Sequence, residues 1–374
     1  MKLRISILLR SCCLSAAALL LCGSLVTATA AENLVEHTNR GLVELITGAG
    51  DGASIQMAED LASVLNDGAT RRVLPVVGRG ALQNLIDLRA LRGVDIAIVQ
   101  TDVMDYAKKH KTPPAIEYSV TYIAKLHNEE LHLLAGAGIT RIEDLAGKKV
   151  EFAGGAKVTG PTVFSLLKLQ VEPVFDDHMV ALGKLKTGEV AALAYVAAKP
   201  TSLFEALPGG DGLHFVPIPL KPELASAYVP ARLTAEDYPR LVKSDAPVDT
   251  VAVGVVMLVA NLPPNTERYR NVANFVDAFF TQFPRLQEAP RHPKWAEVNL
   301  AAEVPGWRRF PPADMWLKRN VVAAAPALDD KALHEIFAKF LDERSRLSGG
   351  RAMSVQEKDK LFDQFRQWQT SQRR

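Results

Sequence analysis

Cysteine is nearly missing from this chain: of 374 residues only Cys12, Cys13 and Cys22 carry a thiol, and all three fall in the first thirty. The remainder therefore has no disulfide, no thiol nucleophile and no cysteine metal site. An excess of one charge is lacking too, with 44 basic against 42 acidic residues, which argues against a nucleic-acid partner because phosphate backbones call for a concentrated basic face. Past residue 30 no apolar run approaches the roughly 20 residues that span a bilayer. The longest candidate, Val251 to Ala260 (VAVGVVMLVA), reads as a buried strand. Catalytic signatures are absent as well. The eight histidines include no H-x-x-x-H or H-E-x-x-H spacing, and no G-x-S-x-G occurs. Glu129 and Glu130 are adjacent and face opposite ways on an extended chain.

What is present begins with residues 1–30. Lys2, Arg4 and Arg10 precede the apolar stretch Leu14 to Val26, which ends in Ala28-Thr29-Ala30. That is the pattern of a cleavable secretory signal, with cleavage expected after Ala30 and a periplasmic location for the mature chain, without stable membrane insertion. Leu21 is bulky where a lipoprotein signal needs a small residue, which argues against lipidation of Cys22.

The chain is organised around Leu42 to Ser54 (LVELITGAGDGAS), an apolar strand that breaks into a glycine loop and then a helix starting near Ser54. Ile55, Met57, Ala58, Leu61, Ala62, Val64 and Leu65 follow at helical spacing. Such a helix aims free N–H groups at the loop and favours an anion, although most glycine-rich turns of this kind are only tight connections. Arg72 to Val77 is a second strand, Gly78-Arg79-Gly80 a second turn, Ala81 to Leu91 a helix and Val94 to Val99 a third strand ending at Gln100-Thr101-Asp102. Strands alternating with helices imply a parallel sheet, and ligands gather outside the carboxyl ends of its strands. From Tyr118 to Leu134 the pattern gives two strand pieces around a polar turn at His127 to Glu130. Val150 to Ala153 then leads into a second loop, Gly154 to Thr162, with a helix from Val163 to Leu169. Two such loops suggest a cleft between two lobes. Strands follow at Val190 to Val196, Phe215 to Leu220 and Val251 to Ala260, then an amphipathic helix at Asn271 to Phe283. After Pro284 the chain is rich in proline and tryptophan and reads as an extended, packed crossing segment. Leu328 to Trp368 then reads as a helical wrap with Leu333, Ile336, Phe337, Phe340 and Leu341 on one side.

Six stretches in this order resemble the solute-binding subunits of TRAP transporters of the TAXI type: Thr47 to Ser54, Gly78 to Val103, Glu129 to Ala135, Ile142 to Gly155, Leu185 to Pro200 and Val251 to Pro263. The resemblance implies an α/β, two-lobed periplasmic-binding-protein type II fold, here with a C-terminal helical extension. It divides the chain into a signal at 1–30, lobe 1 at 31–133, lobe 2 at 134–253, a return to lobe 1 at 254–284 and an extension at 285–374. It implies a receptor that captures a small organic anion, carboxylate or amino-acid-like, and delivers it to a TRAP permease, with no cofactor and no catalysis. A sensor or enzyme on the same fold, or an ABC-linked binding protein, are the alternatives. The chain departs from the family at two places. Ala156 to Gly160 stands where a Gly-Ser-Gly-Thr run is usual, and Ile55-Gln56 where paired tyrosines are usual. Both fall on expected ligand contacts, so the ligand can differ from the amino acids and dicarboxylates typical of the family.

Arg79 is the first candidate for carboxylate pairing, since a guanidinium grips both oxygens. Gly50, Asp51, Gly52, Ser54 and Gly80 belong to the loops that approach a ligand. Gln100 and Asp102 can orient a ligand amide or ammonium, and Asp102 can equally cap the following helix. Lys157, Thr159 and Lys199 can complete an anion site or face solvent. Tyr195 can stack on a ligand or belong to the core.

Overall fold

A computed structural model describes residues 40–48, 52–68, 70–210, 212–324, 354–359 and 361. Three βα repeats open it. Strands β1 (Leu42–Thr47), β2 (Arg72–Val77) and β3 (Val94–Gln100) are parallel and each leads into a helix or turn, with α1 (Ala53–Leu65), α2 (Ala81–Ala90) and α3 (Thr101–His110) following in the expected places. The apolar sides of these helices cover the sheet: Met57, Leu61 and Leu65 of α1 and Leu85 and Leu88 of α2 are buried. β3 is buried along its whole length, which is why its sequence is a continuous apolar run rather than an alternating one.

The next strand differs from the sequence expectation. β4 (Val120–Ala135) is one unbroken strand of 16 residues, with no turn at His127 to Glu130. Glu129 and Glu130 there are buried and held by Gln100 and Lys294 from other elements, so tertiary contacts replace the solvent that a turn would need. Beyond it come β5 (Lys149–Gly154), α4 (Ala156–Leu166), β6 (Glu172–Val174), α5 (His178–Lys186) and β7 (Ala192–Ala197). The second loop is shorter than expected, because α4 starts at Ala156 and takes Lys157 and Thr159 into its first turn, with Pro161 inside. At 215–220 only β8 (His214–Phe215) is strand. β9 (Val229–Leu233), β10 (Val248–Ala260) and α6 (Glu267–Thr281) complete the order, and Pro311–Ala324 is helical.

The sheet runs β2-β1-β3-β10-β4-β7-β5-β6. β10 lies antiparallel between β3 and β4: its later residues, Val255 to Val259, pair with β3, and its earlier ones, Val248 to Ala252, pair with β9. β4 is shared the same way, since Glu130 to Ala135 pair with β7. Two long strands therefore carry the sheet from its first half to its second, with a register shift in β10 between Gly254 and Val256 where they cross. Each half has its own apolar packing. Ile46, Leu85, Val99, Met104 and Leu258 cluster in the first; Phe152, Phe164, Leu133 and Ile218 cluster on one face of the second, and Phe204, Tyr238 and Leu193 on the other.

The crossing segment after Pro284 is packed as expected. Trp295 is fully buried against Phe279 and Phe283 and donates its indole N–H to Asp60 at 2.9 Å. Lys294 is also buried, its ammonium 3.3 Å from Glu130 and 2.7 Å from Glu297. Arg309 lies over the Tyr122 ring and donates to the carbonyls of Leu300, Ala301 and Ala302. The first of two compact units ends at Asp314; the described residues of the second are helical at 315–324 and 355–359. The expected helical wrap falls almost entirely outside the described residues. Among the described residues, no helix is long and apolar enough to cross a membrane.

Candidate functional site

The carboxyl ends of β1, β2 and β3 and the start of α4 and α5 surround a cleft of about 260 Å³. Four helices begin at its edge. The residues preceding α1, α2, α3 and α4 are Gly52, Gly80, Gln100 and Gly155, and none supplies a side-chain cap to the helix that follows. First-turn N–H groups without a cap present partial positive charge to whatever enters. α5 differs, because Asp177 caps it by accepting from the Met179 N–H at 3.0 Å. Two positions on the wall require glycine, one for its backbone conformation and one for lack of space. Gly80 sits at φ 107°, a conformation that side chains rarely adopt, and a Cβ on Gly155 would stand 2.7 Å from Gln100 Nε2 and 2.9 Å from the Val196 carbonyl.

Seven of the residues singled out from the sequence meet at this cleft: Gly52, Ser54, Arg79, Gly80, Gln100, Lys157 and Tyr195. Arg79 comes from the first half of the sheet and Lys157 from the second, both exposed. Gly50 and Asp51 lie outside the described residues. Three others are given different partners. Asp102 is buried beneath the cleft, where it accepts from the Tyr228 hydroxyl at 2.9 Å. Burial pushes its pKa up to about 6, against the opposing pull of the Thr159 and Tyr228 hydroxyls. Thr159 is buried beside it on the inward side of α4. Lys199 turns away from the cleft: its ammonium donates to the Arg232 carbonyl at 2.6 Å and to Asp237 at 2.9 Å, and its backbone N–H donates to Glu130. For these three, proximity in sequence to a strand end or loop did not mean proximity to the opening: Asp102 and Thr159 pack inward on α3 and α4, and Lys199, two residues past the end of β7, is tied to Arg232 and Asp237.

The sequence reading missed four groups on the cleft wall. Glu129 is buried at the floor, accepting from Gln100 Nε2 at 2.8 Å, with its other oxygen 3.7 Å from His127 Nε2. β3 and β4 are separated by β10, so this bond arches over that strand near Gly254 and Val255. Glu130 does face the opposite way, toward Lys294, as strand alternation requires. Asp176, Asp177 and His178 form the fourth side. The Lys184 ammonium, 2.6 Å away, holds the Asp176 carboxyl below its ordinary range. Burial pushes the neighbouring Glu151 carboxyl up, and it accepts from the Asp176 backbone N–H at 2.6 Å. The sequence signal for these was available: Asp-Asp-His directly before MVALGKLK is an N-cap pattern at the end of a strand. Among the described residues no three His, Cys, Asp or Glu side chains are placed to hold a metal ion.

A mixed α/β sheet in two halves, crossed by two shared strands and opening at a cleft ringed by helix starts, defines a solute-binding protein of the periplasmic type II class. Within that class the chain belongs to the NMT1-like family, whose sequence model matches residues 53–303. No curated protein matches it. Among solved structures, the chain is similar to a protein titled a periplasmic transporter, at 14% identity and a TM-score of 0.45 over 76% of this chain and 97% of that one. It is similar to the periplasmic binding protein BugD at 13% identity and 0.44, over 78% and 97%. A TctC solute-binding protein from Polaromonas matches at 14% identity and 0.36, over 64% and 88%.

Proposed function

We propose that the protein is a periplasmic receptor that captures a small organic anion, carboxylate or amino-acid-like, and hands it to a TRAP-type permease. The two halves act as lobes, roughly Leu42 to Leu133 with the chain after Gly254, and Leu134 to Val253. They close by bending at β4 and β10. The observation that carries this reading is the convergence of three uncapped helix starts, those of α1, α2 and α4, on one cleft, with a cation contributed by each lobe, Arg79 and Lys157. A ligand bridging the two cations favours the closed form, and a permease that distinguishes closed from open reads that shift. The NMT1-like membership supports binding rather than turnover as the task.

A thermal-shift screen of the purified protein against organic acids, amino acids, sulfonates and small aromatic acids tests it. Ligand at 100 times its Kd stabilises by about 2.7 kcal/mol, which raises Tm by several degrees. Arg79→Ala and Lys157→Ala should each weaken the hit by about 10- to 100-fold, the range of a charge-assisted hydrogen bond. A folded protein that responds to nothing in the panel, or hits indifferent to both substitutions, would remove the cleft from consideration as an anion receptor.

A further inference from the structure

The floor of the cleft is chemically unlike its rim. The rim presents donors on two sides, Arg79, Lys157 and the N–H groups of the helix starts, while its carboxylates, Asp176 and Asp177, already accept from Lys184 and from the Met179 N–H. The floor presents acceptors. Glu129 and Gln100 are 7% and 8% exposed, and both line the cleft. The carboxylate accepts only, so the Gln100 amide must turn its NH₂ group toward it, and the bond of 2.8 Å fixes that orientation. Gln100 Oε1 is then left buried with no hydrogen-bond partner. The second Glu129 oxygen has only His127 Nε2 at 3.7 Å, beyond hydrogen-bond range. A carboxylate oxygen without a donor on a cleft wall is satisfied by what enters the cleft. A plain dicarboxylate would instead bring a second negative charge against Glu129.

Granting the receptor reading, we propose that the ligand carries a hydrogen-bond donor, a protonated amine or a primary amide, at the end away from its carboxylate. Glu129 receives that donor, and Gln100 positions the Glu129 carboxylate. The anionic end faces Arg79 and the start of α1. The site thus selects for amino- or amide-bearing acids and against dicarboxylates of equal length.

Titration calorimetry on matched pairs tests this: γ-aminobutyrate with butyrate, 5-aminovalerate with valerate, succinamate with succinate, and glutaramate with glutarate. In at least one pair the donor-bearing member should bind about 10- to 100-fold tighter, and Glu129→Gln should bring that ratio near one. Gln100→Leu, which keeps the carboxylate but removes its clamp, should reduce the ratio several-fold and serves if Glu129→Gln fails to fold. Tighter or equal binding of the donor-free member overturns the proposal and leaves the receptor reading standing. So does a preference that survives both substitutions. No binding by any pair, together with a silent organic-acid screen, defeats both.

Discussion

Replacing Lys294 by alanine tests how the crossing segment holds the sheet. Lys294 is buried, and its ammonium is the charge partner of Glu130 on β4, whose side chain is 6% exposed. Burial pushes the Glu130 carboxyl up even with Lys294 pulling against it. Burial also works against the Lys294 ammonium, but Glu130 and Glu297 outweigh it and hold its pKa above the usual range. Lys294→Ala strands Glu130 with the Lys199 backbone N–H, at 2.9 Å, as its remaining donor. Breaking a buried ion pair in this way costs about 3–5 kcal/mol. For a domain of this size that corresponds to a fall in Tm of roughly 6–20 °C. The loss has a pH signature. A carboxyl whose folded pKa lies above its unfolded value loses stability as pH rises through the folded pKa, and removing Lys294 raises that pKa further. The deficit should therefore be larger at pH 8 than at pH 5. Adding Glu130→Gln to Lys294→Ala should recover much of it, as a coupled pair requires. A Tm within about 1 °C of wild type at pH 8, or a deficit equal at the two pH values, would refute the reasoning.

Two buried groups oppose each other in acid. His132, pushed down to about 4 by burial while it bonds Tyr238 Oη at 2.7 Å, contributes stability that is present above pH 6.5 and lost as pH falls through 4. Asp102, pushed up to about 6, contributes stability that is present below 3.8 and lost as pH rises through 6. Each is worth about 3 kcal/mol, so the wild-type urea midpoint should vary little between pH 4 and 6. Asp102→Asn should expose the acid loss due to His132, and should leave ligand affinity unchanged. His132→Gln should expose the opposite slope. Parallel pH profiles for wild type and both variants would count against these assignments. Gly155→Val, whose side chain would enter the space of Gln100 and the Val196 carbonyl, should abolish binding in calorimetry; retained affinity would show that this wall yields.

The local elements were written plainly in the sequence where one physical signal dominated. β1, β2 and β3 are short apolar runs bounded by glycine, and their ends were located within a residue or two. What escaped was decided by distant contacts. The polar stretch His127 to Glu130 looks like a turn until Gln100, Lys294 and Lys199 are brought to it from far along the chain. The run Ala156 to Gly160 looks like a loop because it is rich in small residues, yet all of it but Lys157 is buried, Gly160 against Phe152, and it opens α4. Arg79 and Lys157 were legible as cleft residues because each follows the end of a strand, and Tyr195 because it lies two residues before the end of β7. Asp102 and Lys199 have the same local setting, and only the packing of Tyr228 and Asp237 against them distinguishes their role. Glu129 could be placed on a strand but not on a cleft floor, since its neighbour there belongs to β3 across an intervening strand.

The position of β10 between β3 and β4 sets an order on synthesis. A chain made from its N-terminus completes β3 at Gln100 and β4 at Ala135, yet the strand that joins them begins at Val248. At about 5–20 residues per second, both wait roughly 5–30 s for their shared neighbour. Until then the apolar edges of β3 and β4 have no pairing strand, and a nascent chain exposes them to any chaperone that binds extended apolar segments. The central strand of the finished sheet is the last of its strands to be made, so the first half cannot close ahead of the rest.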